Sequence, residues 1–438
     1  MEATAYLLLF GVYLGVWLLL LGGPFRERRF LSFGVISQLV FGFVFIAVPL
    51  LPSYRYLIAQ NTFYVLVATA YVSYIAALLL IPGKNYLPTR APVRITNGVW
   101  ILLVLLWLGI EMIDLIPMIR DEGLWSFFTR NRLSARLGAG GVGTGRSPAE
   151  LAGLVLRPVG LIGLLMLVRP RHGKRKSPWM ITGFLLYGLF LSIVLLESNH
   201  RTPVVTSLGL GVAYVHFYIR RFTVWEVSWL LLGLLGFLAV SIQLRRGLYG
   251  DEWLNRGVEW IPTAALSGFA TADDFLNLYE RIEGGETELE YGRNLVYLNL
   301  ITLIPRAMWK EKPVTSFNAR MTEEVYGYEV GGGAKYPVRT FTIWGEGYAQ
   351  FGVMGIALYS FLFVGIYRGL FLFLARFEGT EMVGIWFLIK MPQVMRAALD
   401  SILVLALFTV VAMFLATRLV HASKRSLNPS EVWKEIVS

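Results

Sequence analysis

The sequence predicts an all-α, polytopic integral membrane protein that crosses the bilayer about eleven times. Of its 438 residues, 56% are hydrophobic and only 16% are charged, whereas soluble chains carry about 25% charged residues. Apolar stretches of about 18 to 25 residues recur along the whole chain, and each can cross the hydrocarbon core as a helix. Because these stretches do not alternate with polar residues, they exclude an outer-membrane barrel.

Composition also excludes several kinds of function. The chain has no cysteine, which excludes disulfides, zinc–thiolate sites, iron–sulfur clusters and thiol catalysis. The net charge of +11 does not indicate a nucleic-acid partner, because the chain is too apolar for a soluble nucleic-acid binder. The glycine-rich run Gly138–Gly145 is not followed by the lysine and hydroxyl residue of a P-loop.

The predicted spans follow the apolar stretches in order, to within several residues at each end. The first lacks a basic start and a cleavage site, so we expect it to be retained rather than removed as a signal peptide. The tenth is interrupted by Lys390, Pro392 and Arg396. The spans lie near 4–22, 31–51, 63–82, 98–118, 149–168, 177–197, 202–219, 224–243, 348–375, 382–398 and 400–418.

Basic residues mark alternate loops as cytoplasmic by the positive-inside rule. One set holds clusters such as 26–29, 84–94, 169–176 and 418–434, together with Arg368 and Arg376, whereas the opposite short loops hold only Arg55 and Arg201. The pattern predicts an outer amino terminus and a cytoplasmic carboxyl terminus. The whole chain, 1–438, then forms one integral membrane domain with two long outer loops, 119–148 and 244–347. We expect short apolar segments of the second loop to dip to the membrane surface or to pack on the spans.

Loop 244–347 is predicted to lie outside, where the positive-inside rule does not require basic residues. Most of its basic residues are arginines. A planar guanidinium binds phosphate through two parallel hydrogen bonds, so the loop predicts a phosphate-bearing ligand on the outer face, such as a lipid-linked sugar diphosphate. The alternative is a solvated loop surface. Within the spans, Arg157 predicts a functional contact, or else a side chain that snorkels to the interface.

Three further features bear on catalysis. His200 and Arg201 precede Pro203, which suits the first turn of a helix, and there a histidine could act as a base and an arginine could hold phosphate. Glu346, at the amino end of the ninth span, is a general base, an acceptor-sugar contact or a complement to the helix dipole. The pair 273–274 is acidic, and we interpret it as the first turn of a helix capped by Thr271 rather than as a metal site.

Several motifs resemble the oligosaccharide repeat-unit polymerases of the Wzy or O-antigen polymerase type. They are Pro-Arg-x-x-Trp-x-x-Lys-Pro at 305–313, Tyr291-Gly292, the glycine-rich segment 345–355 with Glu346, and His-Arg-x-Pro at 200–203. The resemblance implies a fold similar to multi-span lipid-sugar glycosyltransferases (GT-C-like) in the bacterial inner membrane. The amino terminus and both long loops would then be periplasmic.

The resemblance also implies an activity. A growing glycan would pass from polyprenyl diphosphate to a lipid-linked oligosaccharide repeat unit, without a metal or other cofactor. The partners would be the polyprenyl-diphosphate-linked oligosaccharide, membrane lipid and a chain-length regulator, and not nucleic acid. Cationic side chains would stabilise the diphosphate leaving group, with Glu346 or His200 as base and Tyr291, Trp309 and Tyr348 stacking on sugars. The cations expected at the diphosphate are Arg306, Arg339, Arg201, Arg157, Arg245, Arg320 and Lys312.

Three other functions use similar features. An O-antigen ligase has the same donor but transfers to a lipid core. A lipid-linked oligosaccharide flippase, which is a transporter, predicts charged spans and short loops instead of the long loop found here. A metal-dependent mannosyltransferase predicts carboxylates in the first outer loop, and 52–62 has none.

Overall fold

Helices make up most of the described part of the chain, which also contains short turns and one pair of two-residue strands. Besides isolated residues, the computed structural model describes 6–16, 33–82, 93–94, 100–109, 159–167, 201–219, 271–298, 317–327, 339–374, 377–378 and 381–396. The helices are α1 (Tyr6–Val16), α2 (Phe33–Phe41), α3 (Asn61–Leu80), α4 (Trp100–Gly109), α5 (159–167), α6 (Arg201–Tyr214), α7 (Ala272–Glu283), α8 (Phe317–Tyr326), α9 (Thr342–Leu374) and α10 (Glu381–Arg396). Shorter π and 3₁₀ segments are Gly42–Ala47, Val48–Leu50, Pro52–Ala59, Val215–Ile219 and Asn294–Leu298.

Three helical stretches of the described residues are long and apolar enough to cross a membrane: Phe33–Leu50, Asn61–Leu80 and Thr342–Leu374. The prediction of an apolar, helical membrane protein is confirmed to this extent. α1, α4 and α5 lie within the predicted spans 4–22, 98–118 and 149–168, and helical segments also cover 201–219 and 381–396. The predicted spans 177–197, 224–243 and 400–418 and the loop 119–148 fall, apart from isolated residues, outside the described residues.

One face of α3 shows what surrounds the bundle. Val65, Val72 and Leu79 follow each other at seven-residue intervals and are each about two-thirds exposed, whereas Val67 and Tyr74 are fully buried. An apolar helix with an exposed apolar stripe is stable where lipid rather than water meets that stripe. The exposed face of α3 therefore supports contact with a membrane.

α9 consists of two helices joined by a sharp turn. Phe351 (φ −145°, ψ 22°) and Gly352 (φ 61°, ψ −146°) are not helical. The Trp344 indole Nε1–H donates to Ser360 Oγ at 3.0 Å, although residues 16 apart in a continuous helix are separated by about 24 Å. The chain therefore folds back at the turn, and the short helix 342–350 packs against the long helix 353–374.

Two glycines allow this fold-back. A Cβ on Gly355 would lie 2.6 Å from the carbonyl carbon of Gly347, and a Cβ on Gly347 would lie 2.5 Å from the carbonyl oxygen of Gly355. The backbones of the two halves of α9 are thus in direct contact, as at the small-residue crossings of membrane helices. The long helix begins only after the turn, at 353, whereas the predicted span 348–375 begins before it. Glu346 therefore lies in the short helix and not at the amino end of the long one.

The short helix lies among the apolar helices. The Trp344 ring packs edge-on against Phe41, Phe45 and Tyr74, with centroid distances of 5.3, 5.4 and 6.5 Å. Phe41 belongs to α2, Phe45 to the π segment that continues it, and Tyr74 to α3. All nine residues of the short helix, 342–350, are buried.

The sequence predicts that Arg368 marks a cytoplasmic loop. It lies instead inside the long helix of α9, is 4% exposed, and donates from Nη1 to the carbonyl oxygen of Ile81, which ends α3. A cation at a helix carboxyl terminus complements the helix dipole.

The predicted all-α fold has one exception among the described residues. The strand β2 (Phe377–Glu378) pairs in parallel with β1 (Val93–Arg94).

The loop 244–347 contributes helices α7 and α8 and packs on the bundle. Phe275 and Leu276 of α7 join the main core, and Phe317 and Met321 of α8 form a smaller core with Phe341. α7 begins after Thr271, with its acidic pair in the first turn as predicted. The predicted cap is wrong, however. Thr271 has φ −104° and ψ −6° and its side chain makes no capping hydrogen bond, because a side-chain cap requires an extended residue.

Candidate functional site

A turn at 290–293 is fastened to the end of the short helix 342–350. The backbone N–H groups of Glu290 and Tyr291 donate to the carbonyl oxygens of Ala349 and Gln350, at 2.8 and 2.9 Å. Carbonyls at a helix carboxyl terminus lack partners within the helix, so the turn satisfies them from outside. The loop 244–347 is thereby joined to the part of the chain that carries the Gly345–Gly355 motif.

Glu346 is the carboxylate at the centre of the site. It is fully buried, Oε1 accepts a hydrogen bond from Asn294 Nδ2, and Oε2 accepts one from the backbone N–H of Leu399 at 2.6 Å. A buried carboxylate is tolerated only when donors reach it. Glu346 thus joins three segments that are distant in sequence, and neither oxygen faces solvent.

Asn294 connects Glu346 to a largely buried ion pair. Its Oδ1 accepts from Arg320 Nη2 at 3.3 Å, and its backbone N–H donates to Gln350 Oε1 at 3.2 Å. Arg320 Nη1 forms an ion pair with Glu290 Oε1, while Gln350 Nε2 donates to Glu290 Oε2. These five side chains form one hydrogen-bonded network, in which the Glu290 carboxylate compensates the charge of Arg320.

Two more charges lie at the rim of this network. Burial raises the pKa of Glu324, the nearby Glu290 carboxylate raises it further, and Arg320 and Arg293 oppose that rise. Glu290, Arg293 and Arg320 are therefore all within electrostatic range of Glu324. Arg293 and Glu324 are exposed, so this group has a buried half and an accessible half.

Arg339 is held in a different way from Arg320. Its guanidinium lies over the ring of Tyr326, 5.2 Å from the centroid, and Nη1 is 3.8 Å from Asp274 Oδ1, with 44% of the side chain exposed. That distance is too long for a hydrogen bond. Within the described part of the chain, Arg339 is oriented by a ring and a carboxylate while its N–H donors remain accessible.

A chain of hydrogen bonds fixes the partners of Arg339. The Tyr326 hydroxyl donates to Asp274 Oδ1 at 2.7 Å, and Asn277 Nδ2 donates to the Tyr326 oxygen at 3.1 Å. Beside it, the Tyr56 hydroxyl donates to Asp273 Oδ1. Helices α7 and α8 and the segment Pro52–Ala59 are joined here, which holds the ring under the Arg339 guanidinium.

Asp274 has an unusual acidity for a carboxyl group. Its burial raises its pKa from 3.8 to about 6, although the Tyr326 hydrogen bond and the Arg339 charge act in the opposite direction. The folded protein therefore holds the Asp274 proton more tightly than the unfolded chain does. The carboxyl stabilises the fold fully below about pH 4, and this contribution is lost as the pH rises through about 6.

We expect the Asp274→Asn variant to lose this pH dependence. Between about pH 4 and 6.5, the free energy of unfolding of the wild type should fall relative to that of the variant by on the order of 2 to 3 kcal/mol. The measurement is the unfolding midpoint in detergent across this range for both proteins. Parallel curves for the two proteins would show that Asp274 titrates normally.

The comparison with known proteins found no similar protein. No family model, curated protein or solved structure matches the chain. Among the described residues, no three or more histidine, cysteine, aspartate or glutamate side chains are grouped so that they could hold a metal ion.

The three aromatics expected to stack on sugars have different surroundings. Tyr291 is 76% exposed and available for a ligand. Tyr348 is 2% exposed, donates to Glu283 Oε1 and packs on Tyr279 with a centroid distance of 5.0 Å, so it does not reach a sugar in this conformation. Trp309 is half-buried.

The remaining predicted site residues are not placed. The α6 helix begins at Arg201, with Pro203 in its first turn as predicted, but the Arg201 side chain is outside the description. The positions of Arg157, His200, Arg245, Arg306 and Lys312 lie outside the described residues.

Sequence reasoning did not identify Asn294, Glu290, Gln350 or Tyr326. One signal was available for Gln350, because it follows Glu346 by four residues and therefore shares its face of the short helix. Asn294 and Glu290 flank the Tyr291-Gly292 motif, but nothing local shows that they meet a helix more than fifty residues further along the chain.

Proposed function

We propose that this protein is a membrane-embedded glycosyltransferase of the repeat-unit polymerase type. It would transfer a growing glycan from polyprenyl diphosphate to the sugar of a lipid-linked repeat unit at the outer face of the bacterial inner membrane. The observation that carries the proposal is Arg339, a half-exposed guanidinium oriented by the Tyr326 ring beside a buried polar network and an apolar helical bundle.

The chemistry of the leaving group suits such an arginine. Departure of a polyprenyl diphosphate concentrates negative charge on phosphate oxygens, and fixed cationic donors stabilise that charge without having to reorganise. A guanidinium offers two parallel N–H donors to a phosphate. Of the two arginines from the predicted diphosphate set whose side chains are described, Arg320 is committed to Glu290 and Arg339 is available.

The buried network has a supporting role in this proposal. Glu346, Asn294 and Arg320 hold the turn 290–293 against the short helix, so that the loop and the bundle form one surface. An acceptor hydroxyl needs a base. Glu346 would act as that base only if the hydroxyl took the place of Asn294 Nδ2 at Oε1, while His200 remains the other predicted base.

The test is elongation by purified protein in liposomes supplied with polyprenyl-diphosphate-linked repeat units. We expect the wild type to build a ladder of chain lengths and Arg339→Ala to lower its initial rate about 100-fold, the size of effect seen when one transition-state donor is removed. Arg339→Lys should be intermediate because a lysine loses the paired donors. The control is Arg281→Ala, whose surface ion pair with Glu286 is exposed on both sides.

Other outcomes identify other functions. Transfer to a lipid-core acceptor without a ladder would indicate a ligase, and movement of repeat units across the bilayer without transfer would indicate a flippase. An Arg339→Ala variant that elongates as fast as Arg281→Ala would remove the role proposed for Arg339.

A further inference from the structure

The backbone of Tyr291 is strained. Its φ is 47°, in the left-handed region that a bulky side chain rarely occupies and that costs free energy for every residue except glycine. The following residue, Gly292, has φ 85° and lies so close to the Phe351 ring that an added Cβ would be 3.0 Å from it. The turn is held in this shape by the hydrogen bonds to the end of the short helix.

Packing within the described chain does not compensate for that strain. The Tyr291 side chain is 76% exposed, so little of its ring area is removed from solvent. A glycine or asparagine would adopt the same backbone at lower cost. The rigid turn thus presents an aromatic ring outward, next to a charged group, and the ring's surface is available to a ligand.

The neighbours of Tyr291 favour a polar ligand that has an apolar face. Glu290 and Arg293 are the first and last residues of the turn, on either side of Tyr291. Glu324 lies within electrostatic range of both, and Arg320 forms an ion pair with Glu290. Arg320 also keeps a buried Nε–H without a hydrogen-bond partner among the described residues. Carboxylate and guanidinium groups pair with adjacent hydroxyls, while an aromatic face receives a flat ring of C–H groups.

We infer that Tyr291, with Arg293 and Glu324 at its edges, forms a carbohydrate subsite that receives a pyranose ring of the glycan. This assignment rests on the proposed function, because it supplies a sugar contact for the glycan that the proposed transferase would act on. The ring stacks on the sugar face, the two charged side chains bond its hydroxyls, and the strained turn keeps the ring in place before the sugar arrives.

The test uses the full-length protein in nanodiscs and lipid-free oligosaccharides of glucose, galactose, mannose, rhamnose and N-acetylglucosamine. Saturation-transfer NMR detects the weak complexes expected. We expect the wild type to bind at least one of these oligosaccharides, Tyr291→Phe to bind it within about twofold of wild type, and Tyr291→Asn to bind it about tenfold more weakly.

Two controls separate this role from a structural one. Asparagine adopts a positive φ at a lower free-energy cost than tyrosine does. The unfolding midpoint of Tyr291→Asn should therefore equal or exceed that of the wild type. Trp225→Ala removes another aromatic that is 77% exposed and should leave oligosaccharide binding unchanged.

Each outcome decides a different point. Absence of binding by the wild type, or equal binding by Tyr291→Asn, overturns the subsite, even if chain elongation proceeds. Binding that depends on Tyr291 in a protein that does not elongate chains keeps the subsite and removes the polymerase proposal. If Tyr291→Asn only lowers the unfolding midpoint in lipid, the ring is a bilayer-interface anchor and the subsite is wrong.

Discussion

Replacing Gly355 with alanine is expected to prevent the native fold. The new Cβ would lie 2.6 Å from the carbonyl carbon of Gly347 and still closer to its oxygen, and neither atom belongs to a side chain that can rotate away. The two halves of α9 would have to separate, which would expose the short helix. We expect a loss of at least about 3 kcal/mol, measured as the unfolding midpoint and the yield of monodisperse protein in detergent.

Gly369→Ala is the matched control, because Gly369 lies in the same helix with no atom within 4 Å of an added Cβ. There alanine should be neutral or stabilising, by up to about 1 kcal/mol, since it favours the helix more than glycine does. Equal midpoints for the two variants would mean that α9 does not fold back at Phe351 and Gly352.

Replacing Glu346 with alanine is expected to have the second large effect. The substitution removes the acceptor for Asn294 Nδ2 and for the Leu399 N–H at a position with no solvent to replace it, and it leaves a cavity. Each buried donor that loses its acceptor costs about 1 to 3 kcal/mol. We therefore expect a total loss of about 3 to 5 kcal/mol, measured by thermal or denaturant unfolding in detergent.

Glu346→Gln distinguishes the structural role from the catalytic one. Its amide keeps the volume and one acceptor oxygen, but its NH₂ group faces a second donor, so an intermediate loss of about 1 to 3 kcal/mol is expected. Glu288→Ala, at an exposed glutamate, should stay within about 0.5 kcal/mol of wild type. If Glu346→Gln were as stable as wild type but inactive in elongation, Glu346 would be the base and not the link between segments.

Local sequence signals were sufficient to predict the helices that coincide with predicted spans. The stretches Phe33–Leu50 and Asn61–Leu80 coincide with predicted spans because hydropathy sums over about twenty neighbouring residues and needs no partner. Pro203 in the first turn of α6 was predictable for the same reason, since its fixed φ acts within its own turn.

The contacts of the site were not accessible in this way. Glu346 meets Asn294 and Leu399 across 52 and 53 residues, and Arg320 reaches Glu290 across 30. Spacing along one helix predicts only neighbours three or four residues apart. The sequence therefore indicated that arginines matter in the outer loop, but not which of them a carboxylate would already neutralise.

The sequence by itself determined that this is an apolar, helical protein with helices suited to a membrane. The length and apolarity of its helices are properties of consecutive residues, and they select a lipid environment. Only the tertiary structure decided that α9 turns back at Gly352, that Glu346 is enclosed, and that Arg339 rather than Arg320 keeps accessible donors. These outcomes depend on close packing and on the pairing of buried charges, which are set by segments that meet in space and not along the chain.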